Sequence, residues 1–140
     1  MVLSGSDPRG VEGMDTQRTI MVVDDNPDII TIVKTILEGK GYRVMSASSG
    51  QELLNMLNGQ KPDLIILDIM MPEMDGLEVL SRLKGVTETA SIPVILLTAK
   101  VQYEDVLGGY KLGADYYITK PFTSTQLVNG INLLLGEGKS

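Results

Sequence analysis

The 140-residue sequence contains no cysteine and no histidine. Without cysteine there are no disulfides, thiolate nucleophiles or sulfur-ligated zinc sites, and without histidine there is no imidazole base and no phosphohistidine. Any chemistry falls to Asp, Glu, Lys, Ser, Thr or Tyr. Positive charge is also scarce. Twelve Lys and Arg against 18 Asp and Glu leave a net charge of −6, so the basic footprint of a nucleic-acid or anionic-membrane binder is missing. No apolar run approaches the ~20 residues that span a bilayer, and the N-terminus has no signal-peptide core, which makes the cytoplasm the expected compartment. What the chain has in quantity is hydrophobic residues, 43% of the total, in a length that suits one globular domain.

Residues 1–17, MVLSGSDPRGVEGMDTQ, show no periodicity and read as a flexible tail or an added leader, with Met14 a candidate start. From Thr19 the pattern changes. The run TIMVVDD is short, apolar and β-branched, as in a strand buried on both faces. Asn26 then offers a helix cap and Pro27 a first-turn residue, ahead of Ile29, Ile30, Val33, Ile36 and Leu37 at helical spacing. The alternation repeats: YRVMSA as a strand, a helix opening on a capping box from Ser49 to Glu52, DLIILD as a strand, GLEVLSRLK as a helix, IPVILLT as a strand. VQYEDVLGGYKLG then reads as a helix, DYYIT as a strand, and a last helix opens on a second capping box, Thr123 to Gln126, and stops at Gly136. Five strands alternating with five helices predict a doubly wound parallel sheet with helices on both faces. Residues 18–136 would form the domain and 137–140 a short tail. Only GEGKS follows the last helix, so the expectation is a stand-alone regulator or one domain of a longer protein.

Open parallel sheets hold their functional sites outside the carboxyl ends of the strands. The residues there are Asp24 and Asp25 after the first strand, Asp68 after the third, Thr98 after the fourth and Lys120 past the fifth. Each alone also reads as a turn starter, a cap or a surface charge. Together, three carboxylates in one crevice repel one another and require a cation, and oxygen ligands suit magnesium. Magnesium, an ammonium and a hydroxyl make a site for a phosphoryl group, with Asp68 as a carboxylate nucleophile.

VVDDN, LDIMMPEMDG, LLTA and ITKPF stand in an order and spacing that resemble the receiver domains of two-component response regulators, over roughly residues 18–136. The resemblance implies a flavodoxin-like sheet of order 2-1-3-4-5. It also implies that Asp68 accepts a phosphoryl group from a histidine kinase or phosphotransfer protein, making the chain a signalling phosphoacceptor that catalyses only its own phosphorylation and dephosphorylation. By the same resemblance Asp24, Asp25, Asp68 and the Met70 main-chain carbonyl bind Mg2+, Thr98 and Lys120 hold phosphoryl oxygens, and Tyr117 and Thr98 report the state of the site. Lys120-Pro121 would be cis. A downstream output protein or domain and a homodimer are the further partners implied. Met70 and Lys100 fall where the family's side chains influence the access of water to the phosphoryl group, and an apolar Met70 implies slow self-dephosphorylation.

Two other readings are open to these residues: a receiver-like interaction module that is not phosphorylated, and a haloacid-dehalogenase-like phosphatase. The second expects D-x-D after the first strand, whereas Asp68-Ile69-Met70 follows the third and lacks the second acid. A dinucleotide-binding domain would need a glycine-rich turn where this chain has DDNPD. Gly108 and Gly109, inside the fourth helix, each cost about 1 kcal/mol relative to alanine and predict a soft element there.

Overall fold

A computed structural model of the chain describes residues 17–99 and 103–136. The elements are β1 (Thr19–Val23), α1 (Pro27–Glu38), β2 (Arg43–Ala47), α2 (Gly50–Met56), β3 (Leu64–Leu67), α3 (Gly76–Lys84), α4 (Thr87–Ala90), β4 (Val94–Thr98), α5 (Tyr103–Lys111), β5 (Tyr116–Thr119) and α6 (Ser124–Leu135). All strand pairs are parallel and the sheet order is β2-β1-β3-β4-β5. Apart from Gln17, the expected tail of residues 1–17 lies outside the described residues, as do Lys100, the first two residues of the expected fourth helix and residues 137–140. Gln17 itself donates from Nε2 to the Gly41 carbonyl at 3.1 Å.

Strand alternation divides the core into two layers. Ile20, Val22, Leu64, Ile66, Ile95 and Leu97 face Val33 and Leu37 of α1 and Leu127 and Ile131 of α6. Met21, Val23, Ile65, Leu67, Val94 and Leu96 face Leu53 of α2 and Val79, Leu80 and Leu83 of α3. This two-sided burial explains why β1, β3 and β4 read as continuous apolar runs rather than alternating ones.

Local chemistry sets most element ends. Asn26 accepts from Asp28 N–H with Pro27 in the first turn, Asp75 accepts from Glu78 N–H, and the Thr123–Gln126 capping box is complete. At α2 only half of the expected box forms: Ser49 accepts from Glu52 N–H, but the Glu52 carboxylate takes the N–H and hydroxyl of Ser48 instead. The described residues hold six helices where five were expected. The extra one, α4, shows no apolar periodicity and no side-chain cap at Val86. Bonds from a distance hold it: Lys84 Nζ donates to the carbonyls of Ala90 (3.0 Å) and Ile92 (2.9 Å), and Thr89 Oγ1 donates to that of Leu83 (2.6 Å).

The two glycines of α5 turn out to differ. A Cβ on Gly109 would stand 2.5 Å from Leu96 Cδ1, so its absence lets the helix lie against β4; a Cβ on Gly108 would meet nothing within 4 Å. Packing therefore explains Gly109 and leaves the propensity cost of Gly108 unrepaid. Gly108→Ala is expected to stabilise the fold by about 1 kcal/mol and to raise hydrogen-exchange protection along α5. Unchanged protection would show that α5 is not locally soft.

Candidate functional site

The sheet carries its ladder one residue past three strand ends, and this places the site. Asp24 N–H donates to Ala47 O (3.2 Å), Asp68 N–H to Val23 O (3.0 Å), and Lys120 N–H to Thr98 O (2.9 Å). Because β1 lies between β2 and β3, with Val23 level with both Ala47 and Leu67, the two acids emerge side by side at the carboxyl edge. Asp24, Asp68 and Thr98 are buried, with relative exposures of 2%, 4% and 0%, whereas Asp25 is exposed. Carboxylate oxygens of Asp24, Asp25 and Asp68 all lie within 4.8 Å of one another.

Lys120 reaches into this cluster from beyond β5. Its ammonium lies 2.8 Å from Asp24 Oδ2 and 3.5 Å from Asp68 Oδ2. Asp24 Oδ1 also accepts from Asn26 N–H at 2.9 Å, and Asp68 Oδ1 from Met70 N–H at 3.2 Å. The Thr98 hydroxyl hydrogen-bonds the Asp68 carboxylate. The Asp68 carboxyl is pushed above the usual carboxylate range, first by burial and then by the charge of Asp24; Lys120, the Met70 N–H and Thr98 pull it back in part. Three carboxylates against one ammonium leave two negative charges in excess when all are ionised (−3 + 1 = −2). Hard oxygen donors with that excess fit a divalent cation of the magnesium type.

The Lys120-Pro121 peptide bond is cis, as the family resemblance implied. Tyr117 is half-buried and packs against the α2 and α3 side of the core, while Tyr116 packs on the α1 and α6 side. All five strand-end residues singled out in the sequence converge. Tyr117 stands three residues before Lys120 on the strand that delivers it, level with Leu96 of β4.

One positioning residue escaped the sequence reading, in which Gly76 is only the first residue of the helical run GLEVLSRLK. A Cβ on Gly76 would stand 2.2 Å from Asp68 O and 2.7 Å from Ile69 Cα, and Gly76 N–H donates to Ile69 O at 2.8 Å. The start of α3 is thus pressed against the backbone that carries Asp68. No flexible side chain can move aside to relieve a clash with main chain, so Gly76→Ala is expected to cost about 3 kcal/mol in urea unfolding. A loss under about 0.5 kcal/mol, the ordinary scatter for surface changes, would mean that this contact does not fix Asp68. The signal available beforehand was a glycine directly after an N-cap aspartate, where helices have no general need for one.

A family model described as the response regulator receiver domain matches residues 20–132. The alkaline phosphatase synthesis transcriptional regulatory protein PhoP of Bacillus subtilis is 41% identical over 118 residues, covering 84% of this chain and 48% of PhoP. The signal receiver domain of a signal transduction histidine kinase from Syntrophus aciditrophicus superposes with a TM-score of 0.79 at 39% identity, covering 88% of this chain and 94% of that one. The chemotaxis protein CheY4 of Vibrio cholerae gives 0.81 at 28% identity, covering 85% and 99%. The chain spans about half the length of the curated relatives it matches.

Proposed function

Since the chain belongs to the response regulator receiver domain family, we propose that Asp68 takes a phosphoryl group from the phosphohistidine of a histidine kinase or phosphotransfer protein. The observation that carries this reading is the cluster of three carboxylates, Asp68 among them, and one ammonium at the carboxyl edge. An Asp68 carboxylate oxygen attacks phosphorus, the bond from phosphorus to the imidazole nitrogen breaks, and that electron pair returns to the imidazole. Thr98 and Lys120, which already contact the Asp68 carboxylate, hold phosphoryl oxygens as charge moves onto them. Asp24, Asp25, Asp68 and the Met70 carbonyl hold Mg2+, which when bound neutralises charge on the phosphoryl oxygens. In this reading the domain is residues 18–136, its chemistry is confined to its own phosphorylation and dephosphorylation, and Thr98 and Tyr117 carry the state of the site to a partner surface.

The partners are then a cytoplasmic kinase and an output protein or domain, with a second copy of the chain as a further candidate. Among the described residues no helix is long and apolar enough to cross a membrane. The reading is tested with acetyl phosphate as donor. Uptake of one phosphoryl group per chain that requires magnesium and is abolished by a chelator supports it; magnesium-independent uptake, or none, contradicts it.

A further inference from the structure

Met70 is the single exposed methionine among the described residues. It is 55% exposed, whereas Met21 and Met71 are at 0% and 7% and Met45, Met56 and Met74 are partly buried against the core. The ordinary use of a methionine, filling an irregular gap, belongs here to its neighbour Met71. Met70 is also fixed in place: its N–H is bonded to Asp68 Oδ1 at 3.2 Å, and the same stretch of backbone is clamped by Gly76. An oily, accessible thioether therefore belongs to the residue whose backbone N–H is bonded to the Asp68 carboxylate. Because the chain has no cysteine, no thiol competes for an oxidant, and thioethers are the sulfur chemistry available.

We propose that Met70 is a peroxide-sensitive modification site whose sulfoxide shortens the lifetime of the phosphoryl group on Asp68. The inference rests on the phosphoacceptor reading above. The sulfur lone pair attacks one oxygen of hydrogen peroxide, the O–O bond breaks, and the departing hydroxide takes up the remaining proton. Thioether and H2O2 become sulfoxide and water; sulfur is oxidised by two electrons and the peroxide is reduced by two. A thioether is a weak acceptor and orders no water. A sulfoxide oxygen is a strongly polar acceptor, so oxidation replaces an apolar side chain, on the residue whose N–H is bonded to Asp68, with a group able to hold water near a hydrolysable acyl phosphate.

The experiment treats the whole chain with hydrogen peroxide, maps sulfoxides by peptide mass and follows decay of the acetyl-phosphate-derived adduct after the donor is removed. Met70 should oxidise several-fold faster than Met71, Met21, Met45, Met56 and Met74, and the oxidised protein should lose its phosphoryl group several-fold faster than the untreated one. Met70→Leu, which keeps the bulk and removes the sulfur, should decay at the same rate with and without peroxide. Met70→Gln, a polar stand-in of similar length, should decay faster than wild type with no peroxide at all. Oxidation of Met70 no faster than that of buried Met71 overturns the inference. So does unchanged decay in fully Met70-oxidised protein, or equal acceleration of Met70→Leu by peroxide. Untreated wild type that accepts no phosphate sinks the phosphoacceptor reading and this inference together, whereas normal uptake with oxidation-insensitive decay sinks this inference alone.

Discussion

Asp68→Asn is expected to take up no phosphate from acetyl phosphate while folding normally and, without divalent cations near neutral pH, unfolding at a higher temperature than wild type. The loss of uptake follows from removing the proposed nucleophile, since an amide oxygen cannot form the acyl phosphate. The gain in stability follows from the position of the carboxylate. Asp68 is 4% exposed and its carboxyl is raised by burial and by Asp24. A folded-state pKa above the unfolded one means a contribution that is fully present below the unfolded pKa and lost as pH rises through the folded one. Wild type bears that loss at neutral pH, and asparagine, which does not ionise, does not. A rise of about 4 °C corresponds to about 1 kcal/mol for a domain of this size. The difference should shrink as pH falls through the raised pKa, and it should also shrink when magnesium, the cation proposed for the charged site, is added. Thermal melts against pH, with and without magnesium, check both trends. A variant less stable than wild type at neutral pH in chelator would contradict the electrostatic account of the site.

Lys120→Met is expected to act in the opposite sense. The Lys120 ammonium is the cation between two buried carboxylates, at 2.8 Å from Asp24 and 3.5 Å from Asp68. Its removal leaves like charges facing each other with no counterion from the protein. Breaking a buried pair costs up to about 5 kcal/mol, but Lys120 retains 18% exposure and solvent offsets part of this, so about 2 kcal/mol is expected in urea melts with chelator present. Magnesium should recover most of the loss, because a divalent cation in the same cluster replaces the missing charge. An equal loss with and without magnesium would mean that Lys120 stabilises through its packed stem rather than its charge. Phosphate uptake by this variant should fall at least about tenfold, the scale of one lost contact to developing charge.

The sheet was legible because burial on both faces leaves a plain mark: TIMVV, LIIL and VILLT are unbroken apolar runs, and their ends fix the edge where Asp24, Asp68 and Thr98 emerge. Helix starts were legible where a cap is local, as at Asn26 and Thr123. What could not be read depends on which partner a side chain or a backbone takes in the folded chain. The turn α4 is held by Lys84 and Thr89 through contacts to carbonyls that no local pattern reveals. Glu52 prefers Ser48 to Ser49, a choice between adjacent hydroxyl residues that a capping-box spacing does not distinguish. The difference between Gly108 and Gly109 lies in what stands opposite, Leu96 or open space, and the pressing of Gly76 onto Asp68 is likewise a tertiary contact.

The central claim is that the strand-end cluster exists to carry a phosphoryl group on Asp68. Its most direct measurement is mass-spectrometric mapping of the chain after reaction with acetyl phosphate and magnesium, with the adduct trapped by borohydride reduction of the acyl phosphate. The account predicts modification confined to the peptide that contains Asp68, absent when magnesium is chelated and absent in Asp68→Asn. Modification at Asp24 or Asp25 instead, or at a serine or threonine, or the same modification without magnesium, would contradict it.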